Sequence, residues 1–102
     1  MLDDLKIISE IDTSNMLDDL VQYPDHIKKA IEIAENAEIE RFIKIDDVII
    51  TGMGASAISG DIVNCLFRDK IEVPFAVNRN YDLPKWVKKD TLTIFVSYSG
   101  NT

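Results

Sequence analysis

One cysteine, Cys65, stands in the whole chain, which excludes an internal disulfide and any zinc site built on paired cysteines and fits a reducing compartment. It reads as a small apolar residue of a helix. Histidine is equally scarce: His26 stands alone, near the start of a helical stretch, where a surface residue beside a cap is the better reading than a catalytic acid. No apolar run approaches the roughly 18 residues of a membrane span, and Met1-Leu2-Asp3-Asp4 puts acid where a secretory signal carries positive charge. The chain reads as soluble and cytoplasmic. Positive charge is short as well, with 11 Lys and Arg against 18 Asp and Glu, a net charge of -7. Such a field repels nucleic acid and anionic membrane, so neither is expected as a partner. A small anion is not excluded, because aligned backbone N–H groups and hydroxyls hold a phosphate without surrounding Lys or Arg.

What is present is enough apolar surface, 46% hydrophobic residues in 102, for one compact domain or less. Residues 1–45 are helical in pattern. Ile27, Ala30, Ile31, Ala34 and Ala37 recur at three- and four-residue spacing, so that face should pack on something. Pro24 suits the first turn of this helix, with an earlier helix over about residues 15–22. After Asp46 the pattern changes: Val48-Ile49-Ile50-Thr51 is a β-branched run expected as a strand buried on both faces. Residues 56–67 carry Ile58, Ile62, Cys65 and Leu66 at helical spacing. Val73-Pro74-Phe75-Ala76-Val77 then reads as a second strand and Leu92-Thr93-Ile94-Phe95-Val96 as a third, buried one. Strand, helix, strand argues for a parallel right-handed crossover. The organisation expected is a helical segment, 1–45, followed by an α/β unit with a parallel sheet, 46–102, which ends in a strand-to-helix turn with no helix after it and so reads as cut short.

Two loops carry the chemistry. Gly52-Met53-Gly54-Ala55-Ser56-Ala57 leaves a buried strand and opens a helix, where parallel sheets bind ligands and where helix N–H groups and dipole favour a phosphate oxygen. A tight turn with Ser56 merely capping the helix fits the same residues. So does a dinucleotide fingerprint, Gly52-x-Gly54-x-x-Ala57, although the second strand ends in Val77-Asn78-Arg79 without the acidic residue a ribose requires. Ser97, Ser99 and Thr102 follow the third strand at spacings that let three hydroxyls and a Gly100 turn surround one anion; a solvated hydroxyl-rich loop is the alternative. If the crossover holds, both loops face one crevice.

Gly52-Met53-Gly54-Ala55-Ser56-Ala57-Ile58-Ser59-Gly60-Asp61 together with Val96-Ser97-Tyr98-Ser99-Gly100-Asn101-Thr102 resembles the sugar isomerase (SIS) domain family, in its bifunctional phosphoglucose/phosphomannose isomerase branch. The resemblance covers residues 45–102 well and the helical start loosely. It implies a flavodoxin-like, three-layer αβα domain, of which this chain holds the first half. It also implies that Ser97, Ser99 and Thr102 hold a sugar-phosphate phosphate, while Gly54, Ala55 and Ser56 contact the sugar. Ala55 and Ser59 stand where the family usually carries glycine; an alanine does not easily take a positive φ, and its methyl stands beside the ligand.

The activity so implied is aldose–ketose isomerisation of glucose 6-phosphate or mannose 6-phosphate with fructose 6-phosphate, through a cis-enediol, without metal or cofactor and in a homodimer. The Glu base, the ring-opening His from a neighbouring subunit and the basic residues of that chemistry lie after the second motif. No catalytic residue is therefore expected among these 102, and the segment alone should be inactive. A non-catalytic SIS-domain sugar-phosphate sensor is the alternative. A third reading is a truncated segment whose uncovered sheet edge leads it to dimerise or aggregate. Asp61 and Glu72 read as structural or solvated carboxylates. Tyr98 and Trp86 are aromatics able to flank a sugar, but alternation turns Tyr98 away from the serines and Trp86 reads as linker packing.

Overall fold

The computed structural model describes residues 3–41 and 44–102. The chain divides into two compact units, Met1–Glu40 and Arg41–Thr102.

The first unit is helical. Helix α1, Leu5–Ile11, starts on Asp4, whose carboxylate accepts the N–H groups of Lys6 (3.0 Å) and Ile7 (3.3 Å). Helix α2, Met16–Glu35, is continuous through Pro24, so the expected break between 15–22 and a second helix does not exist. Proline removes one N–H from the helix ladder, yet the helix continues because its entry is fixed elsewhere. Asn15 precedes it in the left-handed conformation, which Asn tolerates, and the carboxylate of Asp12 accepts the N–H groups of Met16 (2.9 Å) and Leu17 (2.7 Å). The apolar face expected to pack remains open: no residue of α2 is buried, with Ile27 49% and Ile31 53% exposed.

The second unit is the α/β part, and its fold class agrees with the sequence pattern. Strands β1 (Asp47–Thr51), β2 (Phe75–Asn78) and β3 (Thr91–Phe95) form a three-stranded parallel sheet in the order β2-β1-β3. Ile49 pairs with Ala76 on one side and Thr93 on the other. Residues 74 and 96 lie just outside their strands but stay tied to β1: the Pro74 carbonyl accepts the N–H of Val48 (2.9 Å), and the N–H of Val96 donates to the Thr51 carbonyl (2.9 Å). β1 is the buried strand expected from its β-branched run, with Ile49, Ile50 and Thr51 at the core. β3 is not: as an edge strand it leaves Ile94 40% and Phe95 73% exposed.

Helix α3, Ile58–Phe67, follows β1 through a short 3₁₀ turn, Gly54–Ala57, and lies against the sheet. Its buried side is not the Ile58, Ile62, Cys65, Leu66 stripe. Those residues are exposed, Cys65 among them, and the contact runs instead through Ala57 and Gly60. A Cβ on Gly60 would lie 3.0 Å from Cγ2 of Val77 and 3.2 Å from Cβ of Ile50, so the helix backbone approaches the sheet at the one point where it carries no side chain. At the opposite, amino end of the sheet, Asp46 bonds Lys88 (3.0 Å) and Lys44 (3.1 Å), which hold its carboxyl below the ordinary range.

Candidate functional site

The strand order reverses direction at β1/β3, and in open parallel sheets the crevice outside the carboxyl ends of the strands at such a reversal is the ligand site. The residues here pin the three strand ends together. The N–H of Gly52 donates to the Asn78 carbonyl (3.1 Å), and a Cβ on Gly52 would lie 3.0 Å from the Val96 carbonyl oxygen and 3.2 Å from the Ala57 nitrogen. Only glycine lets the first loop cross so close to the end of β3.

Beyond Gly52 the chain takes a left-handed step at Gly54, φ 56°, and nothing crowds a side chain there. The positive φ thus falls on glycine and not on Ala55, so the alanine carries no backbone strain and only its methyl distinguishes it. No side chain caps the turn or α3, so Ser56 is not the helix cap that a bland βα turn would have. The Ser59 hydroxyl donates to the Ser56 carbonyl (2.9 Å), while the Ser56 hydroxyl has no hydrogen-bond partner among the described residues.

The second loop folds on its own hydroxyls. The N–H of Gly100 donates to Ser97 Oγ (3.0 Å), the N–H of Asn101 donates to Ser99 Oγ (3.2 Å), and Ser97 Oγ lies 3.3 Å from Thr102 Oγ1. Gly100 takes a positive φ of 71° where the loop turns. Ser97 and Thr102 are therefore within one ligand atom of each other, a spacing two hydroxyls need to grip one anion.

Two clefts flank Ser97. One, of about 230 Å³, runs between the β1 and β3 ends and is lined by Gly52, Met53, Asn80, Tyr81, Ser97 and Thr102. The other, of about 420 Å³, is bounded by Ala55, Ser56, Ser59, Ser97 and Tyr98. The structure thus brings Ser97 and Thr102 together in the first cleft, and Ala55, Ser56 and Ser97 in the second; Gly54 and Ser99 line neither. Tyr98 is fully exposed and borders the second cleft with Ser97. Trp86 lines neither cleft. Asp61 ion-pairs with Arg79, and Glu72 is exposed. His26 is an exposed residue of α2. Among the described residues no group of three or more His, Cys, Asp or Glu is placed to hold a metal ion, and no helix is long and apolar enough to cross a membrane.

Asn78, at the end of β2, is the bracing residue that spacing does not reveal. It is 6% exposed, and its side-chain amide donates to Thr51 Oγ1 (3.0 Å) and to the carbonyls of Asn80 (3.0 Å) and Asp82 (3.3 Å). Its Oδ1 accepts the Asn80 N–H (3.3 Å). An Asn that closes a short strand favours such a self-bonded turn.

These features define an α/β segment with two hydroxyl-bearing loops meeting at the carboxyl ends of adjacent parallel strands. The chain is similar to curated proteins named bifunctional phosphoglucose/phosphomannose isomerase. With that of Caldicellulosiruptor bescii it is 43% identical over 88 residues, 85% of this chain and 26% of the relative. With those of Thermoplasma volcanium and Thermoplasma acidophilum it is 41% identical over 59 and 56 residues, 58% and 55% of this chain and 18% and 17% of the relatives. The chain spans about a quarter or less of the length of the curated relatives it matches. No family model matches it, and neither does any solved structure.

Proposed function

We propose that this chain is the opening segment of a bifunctional phosphoglucose/phosphomannose isomerase, with residues 1–45 a helical lead and residues 46–102 the first half of an SIS domain. The observation that carries the reading is the meeting of the 52–57 and 97–102 loops at the β1/β3 reversal, in a chain whose matched relatives are named as such isomerases. In this reading Ser97, Ser99 and Thr102 hold the phosphate of the substrate through hydroxyls and loop N–H groups, and Gly54, Ala55 and Ser56 face the sugar. A dianion would replace the weak hydroxyl and N–H contacts that the loop makes within itself.

The reaction of the intact protein is then the interconversion of glucose 6-phosphate or mannose 6-phosphate with fructose 6-phosphate. A base takes the C2 proton of the open-chain aldose as the carbonyl oxygen O1 gains a proton, giving a cis-enediol; a proton delivered to C1 as the O2 hydroxyl loses its own then gives the ketose. This segment supplies capture and orientation, and the base and the ring-opening acid belong to later residues. Holding the phosphate fixes the carbon chain relative to that base, a contribution of proximity that no local carboxylate is needed for. The intact protein acts as a homodimer in the cytoplasm.

A coupled assay on the intact protein with both aldose phosphates tests the reading; turnover of both is expected, and binding without turnover would replace the enzyme by a sugar-phosphate sensor. Ser99→Ala should weaken fructose 6-phosphate by roughly 1.5–3 kcal/mol, the worth of a hydrogen bond to a charged group. An unchanged affinity removes Ser99 from the site.

A further inference from the structure

Tyr81 lies in the polar connection between β2 and β3, and the fold brings it to the cleft that holds Ser97 and Thr102. It is 81% exposed, a large aromatic with no packing role of its own. Its position is nevertheless fixed. Asn78 binds both backbone groups of Asn80 and the Asp82 carbonyl, on either side of Tyr81, and ties them to Thr51 at the end of β1. A buried amide thus holds the backbone on either side of an exposed ring that lines the same cleft as two hydroxyls.

We propose that Tyr81 is a substrate-contacting, specificity-determining residue that forms the apolar wall of the β1/β3 cleft and stacks on the carbon skeleton of a bound sugar phosphate. This rests on the function proposed above. The chemistry is divided across the cleft: hydroxyls and N–H groups at Ser97 and Thr102 suit the phosphate, while the electron-rich face of the ring suits the C–H bonds of the sugar. The backbone that carries the ring is already held by Asn78, so contact with it adds no cost of ordering the loop. A phosphate without a sugar touches the first wall and not the second.

The test follows from that division. In the intact protein, affinities for fructose 6-phosphate and for inorganic phosphate are measured by calorimetry for the unaltered chain, Tyr81→Ala, Tyr81→Phe and Ser97→Ala. Tyr81→Ala should weaken fructose 6-phosphate by about 3- to 10-fold, the scale of one aromatic stacking contact, and leave inorganic phosphate unchanged. Tyr81→Phe should bind as the unaltered chain does, and Ser97→Ala should weaken both ligands. Because Tyr81 is exposed, its variants are expected to melt as the unaltered protein. Equal loss for both ligands, no loss in Tyr81→Ala, or a Tyr81→Phe as weak as Tyr81→Ala overturns the stacking role while the sugar-phosphate site stands. Failure of the unaltered protein to bind fructose 6-phosphate overturns the functional reading, and this inference with it.

Discussion

In α1 and α2 no residue is buried, and each helix is started by a carboxylate from the few residues ahead of it. The unit from Arg41 onward is built the other way: Asn78 bonds Thr51 across 27 positions, the ends of β1, β2 and β3 are tied by backbone bonds, and Gly60 seats α3 on Ile50 and Val77. The first unit is local chemistry repeated along a helix, and the second is a set of non-local constraints that meet at one edge of a sheet. A ligand loop needs the second kind, because geometry held to a fraction of an ångström comes from several elements fixing one backbone at once. That is why both clefts beside Ser97 lie there.

The comparison breaks most visibly in the core of β1. Ile49 is fully buried, so Ile49→Ala should cost about 2–5 kcal/mol through lost burial and the cavity left behind. Ile27 in α2 is 49% exposed, and Ile27→Ala should shift stability by no more than about 0.5 kcal/mol. Thermal melts of the two variants followed by circular dichroism measure the contrast; equal shifts would show that the helical face of Ile27 is covered in solution.

A pair of asparagines sharpens it. Asn78 and Asn36 both donate from the side-chain amide to a backbone carbonyl, Asn36 to Glu32 at 2.8 Å. Asn36 is exposed and four residues from its partner, so water replaces the bond and Asn36→Ala should be close to neutral. Asn78 is buried, and Asn78→Ala leaves the Thr51 hydroxyl and two carbonyls short of a donor at a cost of about 1–3 kcal/mol. Urea titration of both variants decides, and a smaller loss for Asn78→Ala than for Asn36→Ala would contradict the distinction.

The legible parts of the sequence were those where one short run decides the outcome. Val48-Ile49-Ile50-Thr51 can hardly be anything but a buried strand, and the glycines of 52–54 with the hydroxyls of 97–102 mark their loops by composition. The illegible parts depend on what lies across the fold. Pro24 read as a helix start because proline favours the first turn, but the carboxylate that starts the helix is Asp12, outside the periodic pattern. The Ile58, Ile62, Cys65, Leu66 spacing marks the helix but not its buried side, because Gly60, without a side chain, gives no hydrophobic signal and yet allows the closest approach. Leu92 to Val96 looked as apolar as β1, but whether such a strand is covered depends on its place in the sheet order, which periodicity does not encode. Tyr81 could not be found from spacing at all, since its placement is owed to Asn78.

The smallest effect expected belongs to the helical unit and to acid. The N–H groups of Leu17 and Met16 donate to the Asp12 carboxylate and hold its carboxyl below the ordinary range, against an opposing effect of desolvation and with a lesser contribution from the Ser14 hydroxyl. A carboxyl with a lowered pKa in the folded chain contributes stability that is present above its unfolded value, about 3.9, and is lost as pH falls through the folded value. Helical dichroism of the first unit should therefore decline below about pH 4, in the window set by those two values. Asp12→Asn, which keeps an acceptor oxygen but cannot ionise, should flatten that part of the titration. Asp46 in the second unit is held low by Lys88 and Lys44 and loses its support in the same direction, so the variant is what separates the two. If Asp12→Asn leaves the acid limb of the helical signal unchanged, the start of α2 is set by the helix interior and not by the residue before it.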